Sequence, residues 1–480
     1  MTRSARSALR PALLLGPVLL AACAAAPPLT PPRALAELAP AGWQAPLPHA
    51  GEPAAIARWW QGWDDPVLAR VVDAAQAASP TVAQARTRIA QARAERIGAG
   101  AALLPRVDGI ASASRAITSP LFPSPATTLQ AGLQASWELD LFGGLAQGRT
   151  ATDARLLGAQ AGWHEARVSV AAEAAGSYIA VRTCDALAAV TRDDAGSRAE
   201  TARLTRLAAN AGFQAPADAA LADASAADGA VRLAQQDAQC ARDRHALAAL
   251  TAIDEPTLRQ LLATAPGELP APPAIEAVPA RLLAQRPDLY TAERDVVAAA
   301  ADVGQADAQR YPRVTLGGSV TRVRFSFLGT DSTLNTWSAG PLALSLPLFD
   351  GGVIGANMDA ARARYDEAVS VYQARLRQAV REVESALVDL DSTRQRESDA
   401  ARAVEGFRIS FIAAEARWRS GLGSLIDLEL QRRTLLTAQS SWVTLQQERA
   451  AALVALYRAT GGGWSREDVA AAAPTTPETR

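Results

Sequence analysis

The sequence predicts a mainly α-helical chain that also carries a small membrane β-sheet. Apolar and polar residues alternate from Leu129 to Leu141, which predicts a strand with one apolar and one polar face. The stretch is long enough to cross a bilayer obliquely. No proline occurs between Gly144 and Pro216, although the chain contains 29 prolines. A single very long helix can therefore follow the strand directly.

The second half of the chain repeats this plan. Alternating leucines lead to Phe349, and no proline occurs between Pro347 and Pro474. Five pairs of landmarks lie 207 residues apart, namely Pro80 and Pro287, Pro105 and Pro312, Phe142 and Phe349, Gly144 and Gly351, and Arg155 and Arg362. An internal duplication is the simplest explanation.

The N-terminal residues predict export and lipid attachment. Residues 1–22 place arginines before an apolar run, as a signal peptide does. Leu20-Ala21-Ala22-Cys23 resembles the lipobox of bacterial lipoproteins, which implies a diacylglycerol and an N-acyl chain on Cys23. By the same resemblance, Ala24 implies the outer membrane as destination. The alternative is an ordinary signal peptide with an incidental cysteine.

The proline-rich residues 23–55 predict an extended N-terminal arm. The first predicted repeat is 56–278, with strands about 107–119 and 128–141 and a helical hairpin about 145–255. The second is 279–464, with strands about 314–328 and 334–348 and a helical hairpin about 353–460. Residues 465–480 are predicted to be a disordered tail. Apolar residues spaced by three, four and seven predict coiled-coil packing within the long helices.

The strand of 314–328 changes the phase of its alternation, because Val314 and Val320 have one parity whereas Val323 and Phe325 have the other. We expect a bulge near Gly317-Gly318 to reconcile them, and a loop through 329–332 to join the next strand. Four strands are too few to close a barrel, and an open edge cannot face lipid. Several copies must therefore contribute strands, eight in a dimer or twelve in a trimer.

Composition adds limits on function. The formal net charge is -1 and the basic residues are dispersed, so the sequence shows no nucleic-acid footprint. His49, His164 and His245 lack metal-ligand spacing, and no phosphate-binding glycine loop occurs. We therefore predict no catalytic residue, no metal site and no enzyme activity.

Several motifs resemble the outer-membrane efflux-factor family, TolC and its lipoprotein relatives. They are the Trp60 region, Arg286-Pro287-Asp288-Leu289, Tyr311-Pro312, the turn from Pro347 to Gly352, and Gly421-x-x-Ser424-x-x-Asp427. The resemblance implies a homotrimer in which one twelve-stranded barrel, four strands per chain, continues into a helical coiled-coil tunnel. It also implies an exit duct of a tripartite efflux pump for small molecules, anchored in outer-membrane lipid and extending into the periplasm.

The implied partners are a periplasmic adaptor protein and an inner-membrane RND-type transporter. No cofactor is implied beyond the acyl chains. A duct for type I protein secretion is an alternative within the same fold. A lipid-anchored periplasmic coiled-coil scaffold without a channel is another, although it leaves the alternation of Leu129 to Leu141 unexplained.

The hairpins are predicted to turn at Gly212 and Gly421, with Asp218 and Asp427 each six residues later. Both aspartates suit the first turn of a helix and need no function for that. In the family, the corresponding hairpin ends form a closed periplasmic mouth. The functional hypothesis is a ring of six carboxylates in a trimer, paired with arginines such as Arg417 or Arg419.

Three further pairs of residues carry predictions. Cys184 and Cys240 are equidistant from Gly212, so they lie opposite each other in the hairpin and could form a disulfide; two buried thiols are the alternative. Trp137 and Trp337 are expected in an interfacial aromatic belt of the barrel. Glu138 and Asp140 are expected to face the lumen.

Overall fold

The structure is a computed structural model, and it describes residues 43–45, 65–117, 124–266 and 280–466. The predicted signal peptide 1–22, the lipidation site Cys23 and the Trp60 region lie outside these residues. The same holds for most of the arm 23–55 and for the predicted tail beyond Arg466.

Eight α-helices and one 3₁₀ helix occur among the described residues. Their bounds are α1 Pro66–Ala78, α2 Pro80–Ala101, α3 Gly144–Asn210, α4 Pro216–Thr251, α5 Glu255–Ala263, α6 Pro287–Ala308, α7 Val353–Arg419 and α8 Leu425–Ala459, with a 3₁₀ helix at Ala280–Gln285. The two long helices, α3 and α7, contain 67 residues each. Both lie in the proline-free stretches, where no residue interrupts the i to i−4 hydrogen bonds.

Two compact units share these elements. Of the described residues, the first unit contains 92–117, 124–156 and 294–371, and the second contains 43–45, 65–91, 157–266, 280–293 and 372–466. Each unit takes segments from both sequence repeats. The two predicted repeats therefore do not correspond to the two units, because each unit contains parts of both.

The first unit is organised by a four-stranded antiparallel sheet of order β1-β2-β3-β4. The strands are β1 Arg106–Ala116, β2 Ala126–Leu139, β3 Arg313–Phe327 and β4 Thr330–Ser345. Leu133 lies opposite both Gly109 and Val320, and Val320 lies opposite Trp337. Cross-strand partners share one face of a sheet. We call the face that carries Leu133, Val320 and Trp337 the apolar face.

The β3–β4 connection differs from its prediction. A loop was expected through 329–332 and a strand from 334, whereas β4 begins at Thr330 after the two-residue turn Leu328-Gly329. Both turn residues have positive φ, 48° and 79°, as a type I′ hairpin turn requires. Leucine is uncommon in that conformation, so the sequence carries no standard signal for the turn.

The expected bulge near Gly317-Gly318 is also corrected. Pairing is irregular at that point, but β3 stays in continuous register with β2, and the additional residue belongs to β4 at Gly340-Pro341. Proline cannot donate to the ladder, which explains why the irregularity lies there. Because β3 keeps its phase, Val323 and Phe325 lie on the face opposite Val320.

The second unit is a helical body with a continuous apolar core, to which α1, α3, α4, α5, α6, α7 and α8 contribute. Asp65 caps α1, because its side chain accepts hydrogen bonds from the backbone of Val67 and Leu68. Its other oxygen accepts from the hydroxyl of fully buried Tyr178 at 2.5 Å. Burial and Asp65 together raise the pKa of Tyr178, so the hydroxyl remains a donor.

None of the helices in the described ranges is apolar over a stretch long enough to cross a membrane.

Candidate functional site

The two long helices end in the same way, within the second unit. Gly212 follows α3 with φ of 81°, and Gly421 follows α7 with φ of 74°. The amide of Phe213 donates to the carbonyl of Ala208 at 2.9 Å, and the amide of Leu422 donates to that of Arg417 at 2.8 Å. These six-to-one bonds define Schellman caps, in which the left-handed residue is best glycine. The glycines therefore terminate the helices and reverse the chain.

The helices that return from these turns begin differently. The Ser424 hydroxyl accepts from the amide of Asp427 at 3.1 Å and so caps α8. Ala215 offers no side-chain cap to α4, which instead begins with Pro216. Asp218 and Asp427 both occupy the first turn, where negative charge is favourable to the helix dipole. Their position in the first helical turn thus agrees with the structural role that the sequence predicts.

One of the two predicted arginine partners contacts an aspartate. Arg417 lies 3.4 Å from the carboxylate of Asp427, and both side chains are about half exposed. Arg419 instead pairs with Glu415 at 3.0 Å, one turn earlier on the same helix. Arg419 and Glu415 are four residues apart on one helix, so their side chains lie on the same helix face, which explains this pairing. Asp218 has no ion-pair partner among the described residues.

A buried charge network lies farther from the turns, and the sequence analysis missed it. Glu429 on α8 accepts from Arg198 of α3 at 3.1 Å and from Ser225 of α4 at 2.8 Å. Arg198 also binds Asp194 at 2.8 Å. Arg432 pairs with Glu429 and donates to Thr201 and Ser197 of α3. We call Asp194, Arg198, Glu429 and Arg432 the buried network.

This network joins the two hairpins to each other. Arg198 and Arg432 are only 6% and 3% exposed, and the guanidinium of Arg432 also lies 5.6 Å from the ring of Phe411 on α7. All four long helices therefore meet at this point. Burial lowers the pKa of Arg432, whereas the charge of Glu429 opposes that shift. The side chain remains a cation, since arginine is protonated at any physiological pH.

A glycine permits the close approach of α4 to α3 at this level. A Cβ at Gly229 would lie 2.9 Å from Cδ of Arg198 and 3.3 Å from Cα of Ala195. Nearer the turns, an apolar cluster also holds the hairpins together, and it contains Ala202, Ala222, Trp418, Leu425 and Leu428. Sequence reasoning could not find the network, because 48 arginines offer too many equivalent pairings.

Beyond this packing, large apolar side chains remain exposed at the turns themselves. Phe213 is 85% exposed, Leu422 is 81% exposed and Ile426 is 69% exposed. Leu422 and Phe213 each follow the glycine of their turn directly. Both hairpin ends thus present an apolar residue to their surroundings in the single chain.

The two cysteines predicted to pair lie in the first hairpin. Their sulfurs are 2.08 Å apart and their Cα atoms 5.4 Å apart. Both side chains are buried with Ala188 between α3 and α4. The pairing itself stays a prediction for thiol chemistry to test.

The predicted sheet residues lie in the first unit. Trp137 and Trp337 share the apolar face; Trp337 is 79% exposed, whereas the indole of Trp137 donates to the carbonyl of Leu103 at 3.0 Å. The carboxylate of Asp140, which the sequence predicts to face the lumen, caps α3 by accepting from the amides of Leu145 and Ala146. Asp350 caps α7 in the same manner. Capping of the helix start is therefore sufficient to explain an aspartate at both of these positions.

No cluster of histidine, cysteine and carboxylate groups suited to a metal ion occurs within the described ranges. The site is thus a pair of capped helical turns and a buried ionic network, all within the second unit.

Comparison with known proteins agrees with this description. The family model described as outer membrane efflux protein matches residues 71–252 and 278–462, two segments that begin 207 residues apart. Pyoverdine export outer membrane protein OpmQ of Pseudomonas putida is 29% identical over 95% of this chain and 98% of its own. Outer membrane protein OprJ of Pseudomonas aeruginosa is 32% identical over 71% of each chain. The solved outer-membrane channel OprN superposes with a TM-score of 0.80 and 28% identity, covering 92% of this chain and 99% of its own.

The chain belongs to the outer membrane efflux protein family. The fold class predicted from the sequence, a trimeric twelve-stranded barrel continued by a helical coiled-coil tunnel, is confirmed by the likeness to these channels. The predicted function, the outer-membrane channel component of an efflux pump, is confirmed as well.

Proposed function

We propose that this chain forms the gated exit duct of a tripartite pump and passes small organic molecules without doing chemistry itself. The observation that carries the proposal is the matched construction of the two hairpin ends, each a Schellman turn followed by an aspartate in the next first turn. Three copies would bring six such ends together as one ring. The export of pyoverdine named for OpmQ supports a small organic cargo over a protein.

The open edges of the sheet support the proposed copy number of three. In the single chain, β1 and β4 are edge strands, and an unpaired edge is not tolerated in hydrocarbon. Pairing β4 of one copy with β1 of the next closes a barrel of twelve strands in a homotrimer. The resulting lumen is wide enough for water and solutes, whereas eight strands leave an interior that side chains fill.

The closed state of the mouth is proposed to depend on Asp218 and Asp427. A ring of six carboxylates would favour cations and repel itself unless arginines lie between them. Arg417 already neutralises Asp427 within one chain. Asp218, which has no ion-pair partner in the described part of the chain, is available to a neighbouring copy.

An adaptor is proposed to dock on the exposed apolar side chains at the turns. Clustered exposed apolar residues mark interaction surfaces. Phe213 and Leu422 are suited to a periplasmic adaptor whose own ends are apolar. Through this adaptor the duct would receive its cargo from an inner-membrane RND-type transporter, and binding would shift the population from closed to open ends.

Localisation completes the proposal. Cys23 would carry a diacylglycerol and an N-acyl chain, and several acyl chains together anchor a protein stably. The barrel would lie in the outer membrane and the helices in the periplasm. Apart from these acyl chains, the proposal requires no cofactor.

A dye-efflux assay in cells that depend on this protein tests the docking step. We expect Phe213→Ser/Leu422→Ser to abolish efflux while trimers and channel conductance persist. Val231→Ser, which alters a 55% exposed residue within α4, is the matched control and should leave efflux unchanged. Normal efflux by the double variant would exclude docking at these residues.

A further inference from the structure

The apolar face of the sheet is not uniform along its length. Its rows nearest the long helices are apolar: Val314 lies opposite Leu139 and Leu344, and Leu316 lies opposite Trp137 and Leu342. The row of Leu133, Val320 and Trp337 ends this band. Most of these side chains are exposed in the single chain, and Val314, Trp137 and Leu139 are half-buried, so the band is suited to contact with lipid tails.

The next three rows, toward the Leu328-Gly329 turn, change character. Arg322 lies opposite Ala131 and Asn335, and Arg324 lies opposite Leu129 and Thr333. The charged residues of this face within the four strands all fall in these rows, and they are Arg115, Arg322, Arg324 and Asp331. We call Arg115, Arg322 and Arg324 the arginine rim.

The rim carries excess positive charge in an exposed setting. Arg324 pairs with Asp331, and both side chains are about half exposed. Arg322 is exposed and has neither a hydrogen bond nor an ion pair among the described residues. Three arginines therefore face one carboxylate on this part of the surface, which leaves cationic groups available to an external anion.

An apolar groove adjoins these arginines. Its lining combines the apolar Ala111, Ala113, Leu129 and Ala131 with the polar Ser112, Gln130 and Thr333, and Arg322 and Arg324 lie at its side. Three alanines at neighbouring positions leave a shallow apolar depression, because their side chains are shorter than the side chains around them. A guanidinium beside this apolar depression is suited to a ligand that is anionic at one end and hydrocarbon at the other.

We propose that the arginine rim binds the phosphate groups of an acidic lipid in the outer leaflet of the membrane, with an acyl chain in the alanine groove. The strand ends at the Leu328-Gly329 turn are those farthest along the strands from the long helices, so they face the cell exterior when the helices face the periplasm. The rim begins where the apolar band ends, at the level of lipid headgroups. Guanidinium groups match phosphate oxygens in a bidentate geometry, and free phosphate would gain nothing from the groove.

This site goes beyond the exit-duct function, since it concerns the outer surface of the barrel and not its lumen. Native mass spectrometry of the full-length trimer in neutral detergent tests it, with lipid A, a bisphosphorylated acylated disaccharide, as the probe. Phosphatidylcholine is the lipid control. We expect lipid A to be retained and phosphatidylcholine to be lost, and inorganic phosphate not to displace the bound lipid A.

The variants locate the site. Arg322→Gln/Arg324→Gln should weaken lipid A binding by at least about tenfold, as expected for the loss of charge-assisted hydrogen bonds. Arg322→Gln alone leaves the Arg324 to Asp331 pair intact and should also weaken binding. Arg313→Gln changes an exposed arginine on the opposite face of β3, and it should have no effect.

Equal retention of both lipids, or unchanged binding by the double variant, would overturn the proposal. Displacement of lipid A by inorganic phosphate would overturn it too, because the ligand would then be the anion alone. Conductance of the same variants separates this result from the duct function, since the proposal leaves the lumen unaltered.

Discussion

Removal of Glu429 tests whether the buried network holds the two hairpins together. Glu429→Ala would leave Arg198 and Arg432, which are 6% and 3% exposed, without the carboxylate that they share. Asp194 still contacts Arg198, but Arg432 retains only hydroxyl acceptors. Breaking a buried ion pair by removing one partner costs about 3–5 kcal/mol, because the remaining charge stays desolvated.

This cost should appear as local opening of the helices. Each 1.4 kcal/mol corresponds to a tenfold change, so the amides of α3 and α8 around the network should exchange with solvent roughly 100-fold faster or more. Hydrogen–deuterium exchange measured by mass spectrometry on the trimer follows the relevant peptides directly. Peptides from the sheet in the first unit serve as an internal reference.

Asp228→Ala is the matched control. It removes an exposed ion pair with Arg232 on α4, three residues beyond Ser225, and such pairs contribute about 0–1 kcal/mol. We expect less than about a fivefold change in exchange. If Glu429→Ala and its control accelerate exchange equally, the network does not couple the hairpins and the reasoning is wrong.

Three further predictions concern other parts of the chain. Thiol titration of the denatured, unreduced protein should find neither Cys184 nor Cys240 free, and two thiols after reduction; two free thiols beforehand would exclude the bond. Burial, with the nearby charge of Asp288, raises the pKa of Glu165 in the folded protein. The folded protein therefore loses stability as the pH rises from the pKa of Glu165 in the unfolded chain to its raised pKa in the folded chain. Glu165→Gln should therefore reduce the loss of thermal stability between pH 4 and pH 7, and an unchanged profile would contradict this assignment. Cys23→Ser should abolish acylation in the intact-mass spectrum of the purified protein, whereas acyl chains retained by the variant would refute lipidation at this residue.

Much of the fold was accessible from sequence because its strongest signals are long and repeated. Proline-free stretches predicted α3 and α7, and the 207-residue offset predicted that both halves share one plan. The turn glycines Gly212 and Gly421 were also found, since only glycine adopts positive φ at low cost. The helix and turn predictions depend on the backbone properties of single residue types, proline and glycine.

Features that depend on pairing between distant segments were not accessible. The bulge was assigned to β3, whereas it lies in β4 at Gly340-Pro341, and only the register shows this. The buried network likewise requires knowing which arginine of α3 faces which glutamate of α8. The sequence predicts Arg419 as a gate partner, whereas in the structure its i, i+4 spacing pairs it with Glu415. Charge type alone therefore predicts a contact poorly when arginine occurs on every helix.

Single-channel recording in a planar bilayer tests the central claim most directly. Detergent-purified trimers should give discrete conductance steps without any energy source, and Asp218→Asn/Asp427→Asn should change the cation preference or the open probability. A folded trimer that shows no steps, either as wild type or with both aspartates replaced, would contradict a gated passive duct.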